Sequence, residues 1–136
     1  LDLAAEGKNL NLKELKEIHR RKTGAMIRAA LRMGGTIGRG DPEVLKALTT
    51  FGEALGLAFQ ITDDLLDLEA DPEILGKNTG SDLRKGKATY PGLVGVEEAR
   101  RLAEEEINRA CRALTPLAEK GKLLVALAQA VLIRDY

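Results

Sequence analysis

The chain has 136 residues, and its 21 Lys plus Arg balance 21 Asp plus Glu, so the formal net charge is zero. That balance argues against a nucleic-acid binder working through bulk positive charge, and one cysteine and one histidine exclude a disulfide framework and Cys- or His-rich metal sites. Hydrophobic residues at 44%, charged residues at 31% and aromatics at only 3% suit a folded helical protein better than a disordered chain or a β-sandwich.

No apolar run approaches the roughly 18–20 residues that cross a bilayer, and no basic segment precedes an apolar one as in a signal peptide. A cytoplasmic location without a transmembrane segment is therefore expected. The opening Leu1-Asp2-Leu3 reads as if it starts inside an element, which predicts a longer parent chain.

The first helix is expected to begin at Asn11, with Glu14 completing a variant capping box. Its apolar positions run Leu12, Leu15, Ile18, Met26, Ile27, Ala30 and Leu31, and Gly34-Gly35 is expected to end it. Asp41-Pro42-Glu43 starts the second helix with a cap, a first-turn proline and an acid at the positive end. It runs through Leu45, Leu48, Phe51, Leu55, Phe59 and Leu66 to about Glu69, with Gly52 and Gly56 one turn apart. Each glycine weakens the helix by about 1 kcal/mol, and together they would admit a close neighbour. Residues 77–91 carry neither helical nor strand periodicity. Glu97 to about Leu117 is expected to be a third helix with Glu104-Glu105-Glu106 on its wet side. Leu123 to Arg134 is a fourth, apolar enough to be packed on several sides, and Cys111 reads as a core residue. The fold class is all-α, a helical bundle.

The chemistry concentrates in Phe59-Gln60-Ile61-Thr62-Asp63-Asp64-Leu65-Leu66-Asp67. On a helix, Gln60, Asp63, Asp64 and Asp67 fall within about 100° of arc. Carboxylates so close repel unless a cation is shared, and hard oxygen donors without His or Cys suit Mg²⁺. The alternative is a solvated acidic edge. A second segment interleaves Lys77, Arg84, Lys85 and Lys87 with Gly76, Gly80 and Gly86. Such a loop can turn amides and ammonium groups toward phosphates, or be a surface loop without a ligand. It is no Walker loop, since Ala88 follows Lys87 and no strand precedes it. Third, Lys22 is level with His19 and Met26 on an ideal helix. It either faces inward to neutralise a phosphate or snorkels to the surface. His19 reads as a hydrogen-bonded packing residue rather than a base.

These residues resemble the trans-isoprenyl diphosphate synthases, the polyprenyl synthetase family, in the bacterial farnesyl or geranylgeranyl form. Phe59 to Asp67 is similar to their second aspartate-rich motif and Lys22-Thr23-Gly24 to their Lys-Thr element. Gly76-Lys77, Gly80-Ser81-Asp82 and Gly86 to Pro91 resemble the loop after the motif, and Ile133 to Tyr136 the C-terminal stretch. The resemblance implies an all-α isoprenoid-synthase bundle, usually a homodimer. It implies condensation of isopentenyl diphosphate with an allylic diphosphate such as dimethylallyl or geranyl diphosphate, with Mg²⁺ as cofactor.

By position it implies Asp63, Asp64 and Asp67 as metal-binding residues. It implies Lys22, Thr23, Gln60 and Lys77 as catalytic, and Phe59, Asp82 and Lys87 as further substrate-binding residues. A first aspartate-rich motif, which the family carries on earlier helices, does not occur here, so residues 1–136 resemble the C-terminal portion of a single synthase domain. Such a half alone is expected to be inactive. The rival is a non-catalytic helical module that packs against a full-length synthase or itself. A terpene cyclase fits worse, because its second metal motif has wider spacing and other residue types.

Overall fold

The computed structural model describes residues 10–69 and 88–134, and every regular element among them is helical. The first is α1 (Leu12–His19), opened by the expected capping box: the Asn11 side chain accepts from the Glu14 amide at 3.0 Å, and the Glu14 carboxylate accepts from the Asn11 amide at 2.9 Å. A single π-helical turn (Arg20–Gly24) carries the chain without a break into α2 (Ala25–Ile37). Gly34-Gly35 therefore does not end the helix. Gly35 instead packs so tightly on the following helix that a Cβ there would lie 2.6 Å from Leu48 Cδ1. The chain reverses just beyond, at Gly38–Gly40, where the amides of Gly38, Arg39 and Gly40 bond back to the carbonyls of Gly34, Thr36 and Gly35.

Asp41 caps α3 (Pro42–Glu69), its carboxylate accepting from the Val44 amide at 2.9 Å. This 28-residue helix is the axis of the molecule. By length and composition alone it would be long and apolar enough to cross a membrane, although it holds no uninterrupted apolar run of that length. Large apolar residues are spread between Gly, Ala and Thr, so no single run is conspicuous. Half of its most apolar stretch is buried inside the bundle, as in a core helix.

The two interior glycines do what their spacing suggests. A Cβ on Gly52 would stand 3.0 Å from the Arg28 Cα, and one on Gly56 would stand 2.7 Å from the Gly24 Cα. The α2–π-turn helix thus lies backbone-close against α3. Arg28 to Glu53 (2.8 Å) and Arg32 to Thr49 (2.8 Å) tie the outer edges of the same pair.

After residue 89 a short α4 (Tyr90–Val94) follows, N-capped by Thr89, where the sequence shows no period. Next is α5 (Val96–Ala113), which lays Ala99, Ala103, Ile107 and Ala110 against α3. It stops four residues before the expected Leu117, because Pro116 lacks an amide to continue the ladder and the Thr115 hydroxyl bonds the Arg112 carbonyl at 2.7 Å. A 3₁₀ stretch (Thr115–Gly121) leads into α6 (Lys122–Leu132). Only Ala128 and Val131 of α6 are buried, while Leu123 is 80% and Leu127 53% exposed. The expectation that this helix is packed on several sides is thus corrected: it leans on the bundle by one face.

Burial divides into two clusters along α3. One gathers Leu48, Phe51, Leu55, Ile107, Leu114 and Val131. The other, around the acidic end, gathers Leu15, Ile61, Leu65, Tyr90, Ala99 and Ala103. Cys111 packs half-buried against the first cluster.

Candidate functional site

The acidic end of α3 is surrounded by α1, the π turn, α4 and Arg134, two residues past α6. The π turn sets the geometry. One wider turn between His19 and Gly24 brings Thr23 onto the face of His19 and swings Lys22 off it. Both His19 and Thr23 then reach one atom: His19 Nδ1 lies 3.0 Å and Thr23 Oγ1 3.2 Å from Gln60 Oε1. A side-chain carbonyl only accepts, so His19 Nδ1 carries the proton and the Thr23 hydroxyl donates. The expectation for His19 as a hydrogen-bonded packing residue holds: it is buried and stacks on Tyr90, ring centres 5.7 Å apart. Lys22 is exposed, so of its two expected positions the surface one is found and the inward one is not. Met26, expected on the same stripe, is 69% exposed.

From Gln60 the network continues. Its Nε2 donates to Asp63 Oδ2 at 3.4 Å, and Asp63 Oδ1 receives Arg134 Nη2 at 2.8 Å. The Arg134 guanidinium lies 4.1 Å over the Phe59 ring and also reaches the Phe59 carbonyl at 3.4 Å. This is a cation–π clamp on a side chain only 15% exposed. Phe59 itself is half-buried beside the main core.

The three aspartates do not share one lip. Asp64 is buried, and its Oδ2 accepts from the Tyr90 amide at 2.9 Å, so it anchors α4. Asp63 is partly exposed and faces Arg134, and Asp67 is exposed one turn further on. Among the described residues no three His, Cys, Asp or Glu side chains converge as a metal cluster. The three still share an arc of about 100°, but that width parts them: Asp64, at its inner edge, enters the core, while Asp63 and Asp67 stay on the outer side. Tyr90 is fully buried, and burial, with the Asp64 charge and then Glu106 adding to it, pushes its phenol well above the ordinary tyrosine range. Lys77, Asp82 and Lys87 lie outside the described residues.

Sequence reasoning missed two members of the network. Tyr90 stood in a stretch without period, and its neighbour Thr89, a capping residue followed by a first-turn proline, was the available signal. Arg134 closed an apolar helix and stood in the stretch that resembles the family's C-terminus, with nothing local to name its partner.

The carboxylates on the outer side of this end of α3 are Asp63, whose two oxygens already accept from Gln60 and Arg134, and the exposed Asp67. Hard oxygen donors of this kind fit Mg²⁺, which commonly takes one or two carboxylates and fills its octahedron with water and phosphate oxygens.

A family model described as polyprenyl synthetase matches residues 1–126. The farnesyl diphosphate synthase of Escherichia coli K12 is 46% identical over 140 residues, covering 99% of this chain and 46% of that protein. The farnesyl diphosphate synthase of Geobacillus stearothermophilus is 41% identical over 135 residues, with 99% and 46% covered. Among solved structures, an FPP/GFPP synthase from Zymomonas mobilis superposes with a TM-score of 0.80 at 31% identity, over 96% of this chain and 42% of that one. A Helicobacter pylori geranyltransferase complexed with magnesium and isoprenyl diphosphate gives 0.72 at 34%, over 96% and 43%. The chain spans a little under half the length of these curated relatives.

Proposed function

Because this chain belongs to the polyprenyl synthetase family, we propose that it forms the C-terminal half of a prenyltransferase site that joins isopentenyl diphosphate to an allylic diphosphate. In that reaction the allylic C–O bond breaks and the diphosphate leaves with the electron pair. The isopentenyl double bond then forms the new C–C bond, and a proton is lost.

The observation that carries the reading is the relay from His19 and Thr23 through Gln60 to Asp63. The Thr23 proton is committed to Gln60, so the hydroxyl oxygen turns its lone pairs away from that bond, where they can face a developing allylic cation. Gln60, held by two donors, keeps its amide fixed and its Nε2 on Asp63, which limits reorganisation as charge develops. Asp63 and Asp67 would hold Mg²⁺, and Asp64 would act through Tyr90 by fixing the helix that abuts the site. Mg²⁺, when bound, neutralises charge on the leaving diphosphate. Lys22, exposed at the π turn, with Lys77, Asp82 and Lys87, would form the diphosphate-binding side, and Phe59 would line the prenyl side.

One half supplies charge on one side of the diphosphate. The chain alone is therefore expected to be inactive, and a complementary helical half or a second copy is expected to complete it. A second reading, a helical module that packs on a synthase or on itself without catalysis, is favoured by one observation: Ile37 is 83%, Leu123 80% and Ile133 77% exposed.

The test is calorimetric titration of inorganic diphosphate into the 136-residue chain with and without Mg²⁺. Binding should require Mg²⁺, fall at least about tenfold in Asp63→Ala, and persist in Glu105→Ala. Equal binding in Asp63→Ala, or none in the unaltered chain, would overturn the catalytic-half reading. Condensation of isopentenyl and geranyl diphosphates by the chain alone at an ordinary rate would overturn the half-site reading.

A further inference from the structure

We propose that Arg134 is the resident counter-cation of Asp63, which a divalent metal must displace or share, so that metal binding depends on the arrival of a diphosphate. This rests on the reading of Asp63 as a metal-facing carboxylate. The pair joins residues 71 apart in sequence and brings the chain just past α6 onto the acidic end of α3. It is a held contact rather than a loose surface pair. The guanidinium is bonded to Asp63 Oδ1 at 2.8 Å, lies over the Phe59 ring at 4.1 Å, and is only 15% exposed, whereas Asp63 is 39% exposed. One carboxylate oxygen accepts from Arg134 at 2.8 Å and the other from Gln60 at 3.4 Å, so both are engaged before a ligand comes, each with a lone pair to spare.

The consequence follows from charge. With Arg134 in place, Asp63 and its partner form a neutral pair, and a bare divalent ion meets a like-charged guanidinium at the point where it would bind. A diphosphate changes the sum, because its negative charge compensates the metal and the arginine together. A guanidinium released from Asp63 is also a good phosphate donor, with several N–H groups in one plane. The Phe59 ring keeps that cation at the lip when the carboxylate turns to the metal.

Manganese(II), followed by the loss of its free-ion electron paramagnetic resonance signal, is the probe, titrated into the full chain with and without inorganic diphosphate. Far-UV circular dichroism checks helicity. The unaltered chain should bind the ion weakly alone and more tightly with diphosphate. Arg134→Gln and Arg134→Met should tighten binding of the ion alone by about three- to tenfold, the coupling expected between a partly exposed charge and a divalent ion nearby, and should shrink the gain from diphosphate. Arg134→Lys keeps the charge and should stay within about twofold of the unaltered chain. Unchanged or weaker binding in both charge-removing variants would overturn the proposal. So would equal tightening in Arg134→Lys, which would point to loosened structure rather than removed charge. Asp63→Asn separates the two layers. If it leaves Mn²⁺ binding untouched, the metal-facing role of Asp63 fails. If it abolishes binding while the Arg134 variants do not tighten it, only the counter-cation role fails.

Discussion

Replacing Gly56 by Ala tests how the site is built, because the substitution helps the helix locally and harms it globally. In isolation Ala is the better helix former by about 1 kcal/mol. Here the new methyl would stand 2.7 Å from the Gly24 Cα and 3.1 Å from the Gly24 nitrogen, contacts that must be relieved by moving backbone. No flexible side chain can yield. Overpacking of this kind costs about 1–3 kcal/mol. Pushing the π turn outward also carries Thr23 away from Gln60, losing a hydrogen bond worth about 0.5–1.5 kcal/mol. The propensity gain offsets only part of this, so net destabilisation should be about 1–3 kcal/mol. Gly34→Ala supplies the control: no atom lies within 4 Å of its would-be Cβ, so it should stabilise by about 0.5–1 kcal/mol. Urea denaturation followed by circular dichroism at 222 nm measures both. A Gly56→Ala chain as stable as the parent, or a Gly34→Ala chain weakened as much as Gly56→Ala, would refute the close backbone approach.

Two other substitutions probe the packing behind the site. Asp64→Ala removes the buried acceptor of the Tyr90 amide and should cost about 1.5–3 kcal/mol, while Asp67→Ala, on the exposed face, should stay within about 0.5 kcal/mol, both read from denaturation midpoints. Among the described residues the Tyr90 hydroxyl has no hydrogen-bond partner, so Tyr90→Phe should leave stability unchanged or raise it by up to about 1 kcal/mol. The same variant reports on pH. The folded phenol is held protonated by burial, so above about pH 10 the unfolded chain loses a proton that the folded chain keeps, and stability falls with rising pH by up to about 1.4 kcal/mol per unit. Midpoints measured at pH 9, 10 and 11 should show that part of the fall in the parent and not in Tyr90→Phe.

The all-α class, the Asn11 and Asp41 starts, the long α3 with its glycine pair, and the polar sequence Gln60 to Asp67 are legible without any structure, because caps, helical period and glycine act within a few residues along the chain. Tertiary structure decided which way the polar residues face. A π turn, invisible to a 3.6-residue template, put Thr23 rather than Lys22 beside His19 and Gln60. Burial against Tyr90 engaged Asp64, at the inner edge of the aspartate arc, in an anchoring bond, because a core helix turns adjacent residues to different neighbours. The partner of Asp63 lies 71 residues away, and local pattern carries no information about which cation reaches a carboxylate across a bundle. The same holds for α6: its apolar sequence declares a hydrophobic face, but only the arrangement of α3 and α5 determines that one side of it is covered and Leu123 and Leu127 are not.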